Sequence, residues 1–172
     1  IGWGVGGPSR GRPARLGMLK LGDLEIPGIA GDLYTGDKGS FANPDLAGNL
    51  GGGVLKRFTV AFDYANKRLY FKPNAGYGKP DAFDRSGFFL LADQDALVVA
   101  DVAADSAAAK AGFAPDDRIV AIDGAPADRK SLVAWRAKLR DLPVGTKLKV
   151  ERMHGGTKET VELVLMDRIP AA

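Results

Sequence analysis

The 172-residue chain contains no cysteine, which removes disulfide bridges, thiolate zinc centres and a thiol nucleophile from consideration. That absence does not fix the compartment, although it is compatible with a bacterial periplasm. There is a single histidine, His154, so imidazole chemistry runs through that residue or not at all. No run of 18 or more apolar residues occurs, and no basic, apolar, small-residue leader, so the sequence reads neither as a membrane span nor as a signal peptide. The first residue is Ile1 rather than Met, which reads as the start of a fragment, from which a leader could have been lost. Aromatic residues make up only 8% of the chain and do not interleave with a dense Lys/Arg stripe. A nucleic-acid footprint is therefore not expected.

What remains is an ordinary globular balance, 45% hydrophobic and 26% charged, with room for one domain or two small ones. Two asymmetries favour two. Residues 1–73 carry a net +4 and residues 74–172 a net −1, and 15 of the 23 glycines lie before residue 54. The turn-formers of Lys72 to Asp81 follow a strongly apolar run and read as a linker. Upstream of it, Phe58, Val60, Phe62 and Tyr64 alternate with Thr59, Ala61 and Asp63 at strand period, and a turn at Ala65-Asn66-Lys67 leads into Arg68 to Phe71. Residues 58–71 therefore predict a β-hairpin. Leu16 to Ile26 predicts two short strands around a Gly22-Asp23 turn.

The stretch Gly48-Asn49-Leu50-Gly51-Gly52-Gly53 resembles the G-N-S-G-G around the nucleophile of trypsin-like serine proteases, but Leu50 stands where the serine would be. A Ser-His-Asp site also needs an imidazole within hydrogen-bond reach, and His154 lies in a distant His-Gly-Gly turn, read as solvated. No triad can be assembled.

A second resemblance covers more of residues 1–73. AGNLGGGVLKRFTVAFDYANKRLYF resembles the closing segment of bacterial retropepsin-like aspartic proteases, with Gly48-Asn49-Leu50 at the start of the short helix before the terminal strands. GWGVGGPSRGRPARLGMLKLGDLEIPGI resembles their glycine-rich flap and the two strands after it, with Gly4, Gly6 and Gly7 as flap-like positions. Aspartic proteases work because two carboxylates about 3 Å apart share a proton, each presented by a D-T-G or D-S-G loop. No D-[ST]-G occurs here. Thr35-Gly36-Asp37 places its carboxylate after the glycine and reads as a surface turn, and Asp63 reads as a structural strand residue. The resemblance thus implies no catalytic residue in this chain, and a missing catalytic half-domain as its partner.

DVAADSAAAKAGFAPDDRIVAIDGAPA carries the succession S-x-A-x-x-A-G-F-x-x-D-D-x-I-x-x-I-D-G, which resembles PDZ domains across residues 84–168. Ser106 is placed to cap a short Ala-rich helix that Gly112 ends. Ile119, Val120 and Ile122 form a buried strand, and a second helix runs from about Lys130 to Arg140 with Leu132, Trp135 and Leu139 on one side. Asp116 stands where the family has glycine, which implies a slightly different turn. Asp116-Asp117 reads as a solvated turn.

PDZ domains add an extended peptide as a strand to an open sheet edge. The resemblance makes Arg85, Ser86, Gly87 and Phe88 the loop that receives a terminal carboxylate, with a glycine at 87 so that backbone and ligand can approach. Phe88 to Leu91 becomes the edge. Phe88, Leu90 and Leu139 become the pocket for an apolar last residue, and Leu132 and Arg136 line the groove. Glu159 to Leu165 would supply the strand that comes first in other PDZ domains, a circularly permuted arrangement.

The expectation is a mainly β chain with short helices, an α+β fold. Residues 1–73 would be the C-terminal half of a retropepsin-like barrel, 74–83 a linker, 84–168 a circularly permuted PDZ domain and 169–172 a tail. The function implied is part of an aspartic-type endopeptidase, inactive as a fragment, whose PDZ domain recruits peptide or protein C-termini. The alternatives are a non-catalytic peptide-binding scaffold and a serine-type parent. No metal or organic cofactor, nucleic acid or membrane span is expected, pairing of half-domains within one chain or by homodimerisation stays open, and the resemblance favours a periplasmic or cell-envelope setting.

Overall fold

The Gly22-Asp23 turn joins two strands of eleven residues each, β3 (Gly11–Leu21) and β4 (Leu24–Tyr34), longer than the short pair that the sequence predicts. Gly22 adopts φ +58°, a left-handed conformation that suits glycine. This hairpin belongs to the first of two units in the computed structural model, which describes residues 2–4, 7–9, 11–37 and 39–169. The first unit runs to Asp81 and the second spans Ala82–Ile169.

In the first unit the strands pair only as hairpins. β1 (Gly2–Gly4) pairs β2 (Gly7–Ser9), β3 pairs β4, and β5 (Phe58–Asp63) pairs β6 (Arg68–Pro73). Half of a barrel requires these hairpins to share a sheet. Among the described residues they do not, and no barrel closes. Gly4 and Gly7, two of the flap-like positions, face each other at the end of β1–β2; Gly6 lies outside the described residues. The glycines at 51–53 start a short helix, α1 (Gly52–Leu55), with Gly51 at its N-cap, so GNLGGG is a helix entry and not a catalytic elbow. A small core of Ile26, Ile29, Val54 and Phe58 holds β3–β4, α1 and β5 together, with Phe71 and Tyr77 meeting Phe58 edge-on. Phe62 and Tyr64 lie beyond this core and are exposed, and Asp63 fastens the turn by accepting from the backbone and side-chain N–H groups of Asn66.

Residues 74–81, turn-rich in sequence, are held to this unit. The Tyr77 hydroxyl donates to the Glu25 carbonyl, Arg57 donates to the Tyr77 and Lys79 carbonyls, and the Asp81 carboxylate pairs with Arg57 at 2.7 Å while accepting from Ala30 N.

The second unit is built on one antiparallel sheet in the order β12-β11-β9-β8-β7, with β10 paired to β9. Its strands are β7 (Phe88–Ala92), β8 (Leu97–Val102), β9 (Arg118–Ile122), β10 (Ala125–Pro126), β11 (Lys147–His154) and β12 (Thr157–Val164). Two helices complete it: α2 (Ala107–Lys110) and α3 (Leu132–Asp141). Leu90, Leu97, Val99, Ile119, Ile122, Trp135, Leu139, Val150, Leu163 and Leu165 form its core. Ser106 caps α2 by accepting from Ala109 N, and Gly112 ends it at φ +75°, with Gly112 N and Phe113 N bonding back to the Ala109 and Ala108 carbonyls. This is the paired closure that a left-handed C-terminal residue allows. Asp116 takes φ +72°, a left-handed backbone conformation that glycine adopts freely and a residue with a Cβ adopts at a cost. No helix among the described residues is long and apolar enough to cross a membrane.

Candidate functional site

β7 occupies one end of the sheet and pairs on one side only, with β8. A strand in that position leaves a row of backbone donors and acceptors for another chain. The sequence of β7 alternates accordingly. Leu90 is buried in the core and Leu91 is exposed, while Phe88 packs edge-on against Phe113 at 4.9 Å. Helix α3 faces the strand: Leu139 is buried in the shared core, Leu132 packs partly against it, and the Arg136 guanidinium donates to the Leu90 carbonyl. The expected groove residues Phe88, Leu90, Leu132, Arg136 and Leu139 are thus brought together between β7 and α3. Leu90 and Leu139 serve the fold's own core, which restricts what they can offer to a ligand.

The loop ahead of β7 departs from expectation in three ways. Arg85 points away from it: Nε pairs with Asp167 at 2.9 Å, and Nη1 donates to the Arg140 and Leu142 carbonyls, closing the C-terminal end of α3. Ser86 is fully buried, and its carbonyl accepts from Ala108 N. Gly87 has φ +83°, and a Cβ there would stand 2.1 Å from the Cβ of Ser106. The packing of Ser106 in the same fold requires a glycine here.

The three N–H groups of the loop already have acceptors. Gly87 N donates to Asp84 Oδ2 at 2.6 Å, Ser86 N to Asp84 Oδ1 at 3.3 Å, and Phe88 N to the Ser86 hydroxyl at 3.2 Å. Ser86 Oγ in turn donates to Asp84 Oδ1 at 2.7 Å, and Arg168 lies 3.2 Å from Asp84 Oδ2. Asp84 is the residue that the sequence reading missed. Its signal was the spacing Asp84-Arg85-Ser86-Gly87, an aspartate able to bond its own backbone two and three residues on.

A second polar cluster sits away from the groove. Asp117 is buried, with Oδ2 2.8 Å from Arg152 Nη1 and Oδ1 2.5 Å from His154 Nδ1, and Arg152 also pairs with Glu159. This corrects the expectation that Asp117 is solvated; His154, expected in a solvated turn, is exposed at the end of β11 but has Asp117 as a partner. The burial of Arg152 explains it: a guanidinium inside the fold needs a carboxylate, and Asp117 is the one the β9 entry supplies. No group of three or more potential metal ligands occurs among the described residues.

No curated protein sequence matches the chain. Similar solved structures include an HtrA-type protease AlgW with decapeptide (20% identity over 49% of this chain, TM-score 0.40) and a serine endoprotease from Yersinia pestis (22% over 48%, 0.41). Another is an aminopeptidase N family protein from Idiomarina loihiensis (23% over 55%, 0.43). The chain spans only 28%, 29% and 15% of those longer chains respectively. The family model for the PDZ domain matches residues 79–165, which takes in the Asp84 loop, the β7–α3 groove and the last hairpin. With half of its length inside that match, the chain belongs to the PDZ domain family.

Proposed function

We propose that the second unit binds extended polypeptide by strand addition at β7, in the groove that α3 walls, and that it does so on behalf of a proteolytic parent. The observation that carries the binding half is β7 itself: an end strand, open on one side, facing a helix in a PDZ fold. Backbone hydrogen bonds along the edge would supply affinity, and Phe88, Leu132 and the exposed face of α3 would select side chains. Isotope-labelled full chain titrated with a peptide library tests it. Amide shifts and slowed hydrogen exchange confined to residues 87–92 and α3 are expected; a response elsewhere overturns the assignment.

The proteolytic half rests on the resemblance of residues 1–73 to the flap and closing hairpin of retropepsin-like aspartic proteases. On this reading the catalytic aspartates come from chain outside residues 1–172, since none of its carboxylates lies in a D-[ST]-G loop. The same absence favours a second reading, a non-catalytic scaffold whose whole activity is peptide binding. Peptide mapping of the native protein separates them. A D-[ST]-G loop in its remaining sequence supports the protease, and a protein with none is a binding module.

A further inference from the structure

The loop before β7 already holds a carboxylate, and it is the chain's own. Asp84 accepts from Gly87 N and Ser86 N, the Ser86 hydroxyl fills the place in front of Phe88 N, and Arg168, stacked over the Phe83 ring, provides the counter-charge. The other nearby cation, Arg85, is committed to Asp167 and to the end of α3. A ligand's terminal carboxylate would need these same N–H groups while lying beside a like charge, which disfavours it. The loop has little freedom to offer others. The Gly87 carbonyl accepts from Ala103 N at 2.9 Å, the Ser86 carbonyl from Ala108 N at 2.8 Å, and Gly87 is packed on Ser106.

We infer that Asp84 sets the specificity of the groove against free C-termini, so that its ligand is an internal, extended stretch of a partner polypeptide. This rests on the reading of β7 as a strand-addition edge. An internal stretch continues past the loop with a neutral peptide group where a terminus would place an anion, so Asp84 need not be displaced. The charge of Asp84, and not merely its bulk, is the selecting feature.

The test uses the 172-residue chain and short peptides of alternating apolar sequence, each made as free acid, as C-terminal amide and embedded between Gly/Ser extensions. Titration calorimetry should give tighter binding for the amide and embedded forms than for the free acid in the unaltered protein. Asp84→Ala should shift the preference toward the free acid by about tenfold, which corresponds to about 1.4 kcal/mol. Asp84→Asn, which removes the charge while keeping the side chain's size and one of its two acceptor oxygens, should shift it in the same direction. Equal binding of the forms, or a free-acid preference, in the unaltered protein overturns the role of Asp84 and leaves strand addition standing. Binding of no form overturns both.

Discussion

Asp117 and Arg152 form a buried ion pair, 2.8 Å between Oδ2 and Nη1, with side chains only 2% and 8% exposed. Every remaining polar atom of the pair that matters is also engaged. Asp117 accepts from Ala114 N and faces His154 Nδ1, while Arg152 donates to the Gly112 carbonyl and to Glu159 and lies 4.6 Å from the Phe113 ring centroid. Removing one partner leaves a charge in the interior, which typically costs about 3–5 kcal/mol. Asp117→Ala should therefore lower the free energy of unfolding, read from urea denaturation, by about that amount. His154→Ala, which removes a half-exposed partner and leaves the pair intact, should cost under about 1 kcal/mol. Equal losses for the two variants would show that the imidazole, and not the guanidinium, holds Asp117.

Gly87 makes a second test. Its φ of +83° costs a side-chain-bearing residue about 1–3 kcal/mol, and an added Cβ would also stand 2.1 Å from Ser106 Cβ and 2.2 Å from its Oγ. Gly87→Ala should destabilise the chain by more than the backbone strain alone. Ser106→Gly removes both clashing atoms, so the double variant should lose less than the sum of the single losses. Additive losses, read from chemical denaturation of all three variants, would mean that the two residues do not press on one another.

The start of α3 should carry a pH dependence. The Ser131 hydroxyl accepts from Asp128 N, and Asp128 Oδ1 accepts from Ser131 N, a reciprocal cap that stands just outside the helix. The hydrogen bond from the Ser131 backbone holds the Asp128 carboxyl below its ordinary value. A depressed pKa means that the folded state favours the charged form. The stabilisation is complete above about pH 4–5 and is lost as pH falls through the folded value. The gap in melting temperature between the unaltered chain and Asp128→Ala should be widest near neutrality and should narrow toward pH 3. No gap at any pH would assign the cap to the Asp128 backbone and the Ser131 hydroxyl, which the variant keeps.

Local rules were enough to read much of this from sequence. Ser106 and Gly112 bracket a helix because one accepts orphan N–H groups and the other tolerates a left-handed backbone, and both facts are local. The β5–β6 and β11–β12 hairpins follow in the same way from alternation and turn residues, and the gathering of Phe88, Leu90, Leu132, Arg136 and Leu139 follows from family order. What was not legible depends on pairs far apart in the chain. Asp117 meets Arg152 across 35 positions and Arg57 meets Asp81 across 24, so neither burial could be seen in the hydrophilic strings that contain them. Asp84 was hidden differently. Its bonds are local, but the same N–H groups can serve a ligand carboxylate or a side chain of the loop itself, and the residue string does not distinguish the two. The separate hairpins of the first unit show the limit of a resemblance, since a strand pattern specifies which residues pair locally and says nothing of whether hairpins join.

Arg136 provides the last prediction, and its sign is informative. Its guanidinium donates to the Leu90 carbonyl on β7, spanning the groove from α3 to the strand that a ligand would pair with. An incoming strand must either share that carbonyl or displace the arginine, so the contact holds a fraction of the molecules in a state that binds less well. A hydrogen bond from a charged donor contributes about 1.5–3 kcal/mol where it is dry and less at a surface such as this one. Arg136→Ala should then tighten peptide binding by a few-fold, up to about tenfold for 1.4 kcal/mol, chiefly through faster association, because the unbound edge no longer has to be cleared. The variant should melt close to the unaltered chain, since Arg136 lies on the exposed side of α3. Weaker binding with an unchanged melting temperature would reverse the assignment, making Arg136 a ligand contact that turns from the Leu90 carbonyl to the peptide, and a conservative Arg136→Lys variant would then restore part of the affinity.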